Sequence, residues 1–546
     1  MKRYVLLAVL AAICWTGSNA QQSLPSRSLT IEGNYNPTVT EAGKIMPVPE
    51  KAYNDRQRVK VSYLMEPNLY SNLKRSPMAA FGLESDIVEP LNHSGLVRLG
   101  YGLRNLSEGL FDFKWFPTEV DVLKISGSMD GWNSKPDGSW RSRMFNGKVA
   151  AGYEHQFRFF TLGLDTDLGF SRYNFMPGSL MDSTKLAASN LTMNTRYGSL
   201  SGFVHSVRMN DASFHLTGGG EWLVRDGLNL NGITNDNKEG IIRFGAGVDK
   251  LLENGYWGVD YKQKIKVYNW TGINGSSYKG FTELTLTPVW HYAKGRITAD
   301  LGLNVDIRTR AGEPFLASPL ASLSYDLNDK IILQAAAVGG IEEYDMRTVA
   351  RMSPYWTEAK SIKDGYNLVN LYGAVYATPL SWLSVSGKVG YRHTIDELFQ
   401  VRMDTLIMTS LLRQQTADVL YARFDADMQF SDRAQLRMDI TYSNYLGNLI
   451  GHNMELKPAF DGSLFGKYCV MRGLDLMLSY RLMAFHSVNG VAMPTVNDLG
   501  LTADYDLTDK LSLYATFSHM MGGDFYYYAG YRTLKPAFML GASYRF

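Results

Sequence analysis

The 546-residue sequence predicts an all-β protein, a transmembrane antiparallel up-and-down β-barrel of about 22 strands. Three observations carry that prediction: side chains alternate apolar and polar through most of the chain, connections alternate short and long, and an export signal stands in front. Behind the signal there is no run of roughly 18 apolar residues, so no transmembrane helix is indicated.

The opening MKRYVLLAVLAAICWTGSNA has basic residues at Lys2 and Arg3, an apolar stretch, and small Ser18 and Ala20 before Gln21, the pattern of a cleavable signal peptide over 1–20. Cys14 lies inside it behind Ile13, a poor match to a lipoprotein cleavage site. Cleavage leaves Cys469 alone, which excludes an internal disulfide and a cysteine-based metal site. Losing Lys2 and Arg3 leaves the cations equal in number to the 53 acids, so no nucleic acid partner is expected.

Residues 21–93 come next. The stretch LTIEGNYNPTVTEAGKIMPVPEKAYN holds Pro37, Pro47 and Pro49 and little periodicity, and reads as a periplasmic N-terminal arm or a short lumen-filling segment. It either docks a periplasmic or lipoprotein partner or packs on the barrel as a lead-in.

From 94 to 546 the period is two. Leu162, Leu164, Leu168 and Phe170 share one face while Asp165, Asp167 and Gly169 share the other. Near the C-terminus Leu511, Leu513, Ala515 and Phe517 alternate with Ser512, Thr516 and Ser518. The apolar face is expected to meet outer-membrane lipid, and closure follows because an open sheet edge would leave polar groups unsatisfied in hydrocarbon. Slips such as VDVLKIS at 120–126 read as bulges. Trp257, Trp290, Tyr442 and Tyr505 read as interfacial girdle residues. Tight turns near 117, 156, 327, 378, 431 and 507 fall on the periplasmic rim, and long extracellular loops near 173–196, 225–239, 342–366, 394–413 and 520–535 on the other.

The last stretch, FMLGASYRF, sets Phe538, Leu540, Ala542, Tyr544 and Phe546 on alternate positions and ends on Phe. It resembles the terminal strand signal of Gram-negative outer-membrane barrels, which implies recognition by the barrel assembly machinery and placement in the cell outer membrane. With the strand number, residues 94–546 resemble the barrel of TonB-dependent receptors. Those receptors also carry a globular N-terminal plug, for which the segment of about 70 residues ahead of the first strand is too short. The resemblance therefore does not bring energised uptake with it.

A barrel this wide needs a filler. The inward positions are strongly polar, with Lys262, Lys264 and Lys266 in one strand, Arg423, Asp425 and Asp427 in another, and Arg437 and Asp439 in the next. These either line a water-filled path or pair with each other and with inserted loops. In TIDELFQVRMDTLIMTSLLR, Thr394 and Glu397 have capping-box spacing, and Ile395, Leu398, Phe399, Leu406 and Ile407 follow at helical intervals. A helix over the pore mouth is expected there. The 520s loop gathers Phe525, Tyr526, Tyr527, Tyr528 and Tyr531, rings suited to stacking on a ligand or on other loops.

Nothing assembles into catalysis. His215 and Glu221 share an inner face and His519 follows Ser518, but no spacing joins a nucleophile, a base and an orienter, and TGGGEW at 217–222 lies within a strand rather than opening a helix. No cofactor is implied. Two functions remain: a transport protein, porin-like or receptor-like with a lumen closed by loops, arm or partner, and a non-transporting membrane scaffold for periplasmic or surface lipoproteins.

Overall fold

The computed structural model describes residues 93–546 apart from 136–139, 208–210, 235, 269–279, 310–313, 358–361, 447–456, 486–493, 524–525, 529 and 533–534. The expectations for the signal peptide and the N-terminal arm lie outside the described residues.

Twenty-two antiparallel strands follow one another from His93–Gly102 to Ala537–Arg545. Each bonds to its sequence neighbours, and the first also pairs with the last, Leu96 opposite Arg545 and Gly102 opposite Met539, which closes the barrel. Two-residue turns join the strands at one end, as between Leu252 and Gly255, Lys294 and Ile297, and Ser431 and Ala434. Long connections at 175–191, 343–364 and 519–536 lie at the other. Among the described residues no helix is long and apolar enough to cross a membrane; the strands do the crossing.

Alternation sets the two faces. Leu168, Leu200 and Val389 point outward at 58%, 61% and 66% exposure, a cost that water would impose and hydrocarbon removes. On the penultimate strand, Leu511–Ser518, Leu513 and Phe517 are exposed while Ser512 and Thr516 are buried. Trp257, Trp290, Tyr442 and Tyr505 are all exposed large rings.

Two expectations need correction. The strand Asp121–Ser134 pairs in unbroken register with both neighbours, so 120–126 holds no bulge. Its alternation slips because Asp121 sits at the periplasmic edge, where His155 Nδ1 at 2.6 Å and the Tyr153 hydroxyl at 2.7 Å meet its carboxylate. Register shifts occur elsewhere, among them Val338/Gly340, Asn367/Val369 and Thr394/Glu397.

The second correction concerns 394–413, which is not a helix. It forms the far ends of two long strands, Leu383–Asp404 and Met408–Ser431, paired up to Asp404 opposite Met408. Thr394 donates to Asn367 at 2.6 Å instead of capping, and Asp396 bulges out at φ 55°. Leu398, Phe399 and Ile407 are all at most 2% exposed, because this hairpin is covered on both faces and loses the one-sided pattern of a half-buried strand.

Candidate functional site

The inward cations and acids divide into two groups. Asp427 stands opposite Arg437 and Asp425 opposite Asp439 on the paired strands Met408–Ser431 and Ala434–Leu446. Arg423 reaches Asp425 at 2.8 Å and Asp439 at 3.5 Å, and Arg437 reaches Asp427 at 2.8 Å. Their side chains stay 28–43% exposed, so water screens each pair to about 1 kcal/mol or less. They form a wetted, self-paired charge network on the inner wall.

Lys262, Lys264 and Lys266 share the inner face of Gly255–Tyr268, yet Lys262 is exposed while Lys264 and Lys266 are buried. What covers the last two is the described part of the connection between the strands ending at Glu342 and starting at Gly365, residues 343–357 and 362–364, folded inward from the extracellular end. Asp345 caps its short helix Met346–Met352, accepting from the Thr348 N–H at 2.5 Å, and the helix stops shortly before Pro354.

Asp364 anchors the far end of this loop. Its carboxylate, wholly buried, receives Lys266 Nζ at 2.5 Å, Lys264 Nζ, and the Tyr344 N–H at 2.8 Å. Burial alone would raise this acid, but the Lys266 and Lys264 ammoniums hold it well below the ordinary carboxylate range. Lys264 also meets Glu283 at 2.6 Å, Arg308 Nε binds Glu283 at 3.0 Å, and an Arg308 Nη donates to the Asp364 carbonyl. Every buried charge in this cluster thus has an opposite charge, the condition under which burying ions is tolerable.

The near end and the helix are tied as well. Arg243 on the wall takes Glu343 at 2.7 Å along with Glu221. Burial would raise Glu343, but Lys264 and Arg243 hold it low. Arg347 binds Asp167 at 2.8 Å, and Glu239 accepts from the Met346 N–H at 2.9 Å. Met346, Val349, Trp356 and Ile362 of the loop then pack on Leu223, Tyr268, Phe281, Leu398 and Leu412 of the wall, one apolar cluster inside the barrel. Arg225, fully buried, stacks 3.8 Å above the Trp356 ring and donates to the Pro354 and Trp356 carbonyls at 3.1 and 2.9 Å.

Tyr531 joins this loop to three others. Its ring lies parallel to Tyr355 at a centroid distance of 3.5 Å. Its hydroxyl donates to the Met408 carbonyl at 2.6 Å and accepts from the Met176 N–H at 3.2 Å. Tyr528 meets Tyr355 edge-on at 5.7 Å, and Tyr527 donates to Asp498 at 2.7 Å. Burial raises the Tyr355, Tyr528 and Tyr531 phenols, keeping them neutral. Tyr527, Tyr528 and Tyr531 of the 520s loop are thus taken up in internal contacts; Tyr526 is half-buried, and Phe525 lies outside the described residues.

Elsewhere, His215 lies 3.3 Å from Asp260 and His519 lies 3.0 Å from Asp498, so both histidines are taken up in contacts with inward-facing acids. Phe538, Leu540 and Tyr544 alternate outward along the closing strand. Phe546 stacks on Phe113 at 6.0 Å and exchanges backbone hydrogen bonds with Gly95 at 2.8 and 3.0 Å.

The inward-folded loop was missed in the sequence, although a signal was there. Asp345 followed by MRTVARM and then Ser353-Pro354 is a cap, a short helix and a stop.

The sequence matches no family model and no curated protein. Solved structures do match. The siderophore receptor PirA from Acinetobacter baumannii aligns at a TM-score of 0.65 and 12% identity over 84% of this chain and 81% of its own. The ferric enterobactin receptor PfeA from Pseudomonas aeruginosa gives 0.64 and 11% over 84% and 81%, and the copper transporter OprC gives 0.61 and 10% over 85% and 81%. The shared property is the fold, a closed 22-strand barrel.

Proposed function

We propose that this chain is an outer-membrane transport barrel that rests closed, its extracellular mouth shut by residues 343–364. The single observation that carries the reading is the burial of Asp364 between Lys264 and Lys266, which pins a loop across a lumen whose wall stays polar and wet below it. A barrel meant only as a platform has no need of a charged wall beneath its cover. The matched structures include a siderophore receptor and a copper transporter, in keeping with a gated rather than an open pore. Residues 21–93 are proposed as the arm through which a periplasmic partner engages the barrel.

The experiment is solute uptake into proteoliposomes by the full chain and by a variant in which 345–357 is replaced with a Gly-Ser linker. The transport reading expects slow uptake by the first and fast, size-limited uptake by the second. One specific feature favours the scaffold alternative, namely how many bonds hold the loop; if the excised variant also stays sealed, the scaffold reading replaces this one.

A further inference from the structure

The outer rim carries a charged arc that the lumen does not explain. On four strands that lie within five consecutive ones, Ser142–Gln156, Phe160–Asn174, Thr192–Ser206 and Asn237–Leu252, the residues Arg143, Arg172, Arg196 and Lys238 are exposed. They share the outward face with Phe145, Phe170, Leu200 and Ile242. Pairing puts them side by side: Arg172 is opposite Phe145, Arg196 opposite Phe170, and Val224 lies between Arg196 and Lys238.

Height decides what they face. The four sit ten to fourteen residues above the periplasmic ends of their strands, and at ~3.3 Å per residue with ~40° tilt this is roughly 25–35 Å up, past an apolar band of ~25 Å. Phe145, Phe170 and Trp222, at 40%, 46% and 46% exposure, hold the girdle level just beneath. Cations directly above interfacial rings stand at the level of headgroups. At comparable height the adjoining wall shows Val267, Ile307 and Phe315 instead, at 57%, 48% and 62% exposure, so the arc is local. Asp226 pairs with Arg196 and fixes its direction without matching the arc's charge.

We propose that Arg143, Arg172, Arg196 and Lys238 bind the phosphate groups of a phosphorylated glycolipid in the outer leaflet. Its acyl chains lie on the wall below, where a side chain at Gly218 or Gly240 would meet nothing within 4 Å. Guanidinium groups suit phosphate oxygens in paired geometry, and a lipid supplies what a soluble anion lacks, apolar chains for Leu168, Leu200 and Ile242. The site is independent of how the lumen works and depends only on residence in such a membrane.

The test titrates the full chain in neutral detergent with three probes: bis-phosphorylated lipid A, the same lipid stripped of phosphate, and inorganic phosphate. Each cation near an anionic surface contributes roughly fivefold in affinity. Wild type is expected to prefer the phosphorylated lipid by at least about tenfold, and the variant Arg143→Gln/Arg172→Gln/Arg196→Gln/Lys238→Gln to lose that preference. A charge-matched control in the periplasmic turns, Lys330→Gln/Arg433→Gln/Arg472→Gln/Lys510→Gln, should retain it. If the rim variant does not show the folded band on semi-native gels, Arg172→Gln and Lys238→Gln singly should each weaken binding about fivefold. The proposal is overturned if the rim variants keep full preference, if the control loses it equally, if wild type shows no preference, or if inorganic phosphate displaces the lipid at equal concentration.

Discussion

Replacing Asp364 with Asn removes one charge and little volume from the point where the loop is pinned. The amide oxygen still accepts from the Tyr344 N–H, so the change isolates the ionic contribution. Lys264 keeps Glu283 at 2.6 Å and Glu343 at 3.5 Å, whereas Lys266, fully buried, loses its carboxylate. Taking one partner from a buried pair costs about 3–5 kcal/mol, and the lower end applies because Lys264 stays neutralised. About 3 kcal/mol is roughly a hundredfold shift toward the undocked loop. In planar bilayers, Asp364→Asn should therefore raise open probability about a hundredfold over wild type. Lys266→Met with Asp364→Leu replaces the pair by apolar groups of similar size and should return toward the closed baseline. An unchanged open probability in Asp364→Asn, or a double variant as leaky as the single, refutes the reasoning.

Other consequences follow at separate places. Tyr531→Ala removes the Tyr355 stack and both hydroxyl bonds and should cost about 3–5 kcal/mol, exposing the extracellular loops to protease in whole cells; Tyr531→Phe keeps the ring and should cost about 1–2 kcal/mol. Equal protease resistance of Tyr531→Ala and wild type would count against the keystone role. Leu168→Arg sets a cation in lipid and should destabilise by about 2–4 kcal/mol in urea titrations in bilayers, while Asp165→Asn on the inner face should be mild; similar losses would mean the faces are misassigned. A Cβ on Gly95 would come 2.2 Å from the Phe546 ring, so Gly95→Val and deletion of Phe546 should both lower the heat-modifiable fraction after outer-membrane assembly, and normal assembly of either speaks against a closing role for that contact.

The barrel was legible because lipid and water enforce a rule on every second residue, as Leu513 beside Ser512 shows. Where that rule lapses, reading fails. Leu398, Phe399 and Ile407 have helical spacing, yet they are buried residues of a hairpin: Leu398 joins the apolar cluster with the inward loop, Phe399 meets Tyr445 of the strand beside the hairpin, and Ile407 bridges to Pro177. Lys262, Lys264 and Lys266 look alike in the sequence. Only the arrival of Asp364, about a hundred residues further along, buries two of them and leaves the third wet. Contacts of that separation leave no periodic trace. Asp345 and its short helix were visible locally, but their inward course depends on Arg243 and Glu239 on one strand and Asp167 on another.

The claim that 343–364 closes the outer mouth has a direct measurement. In a Cys469→Ser background, Lys262→Cys places a thiol on the wetted inner wall beneath the loop, reachable by a bulky membrane-impermeant maleimide only through the lumen. A closed mouth predicts labelling in membranes opened to the periplasmic side and none from outside intact cells, with outside labelling appearing once Asp364→Asn is added. Labelling of Lys262→Cys from outside at the same rate with and without Asp364→Asn would contradict the account.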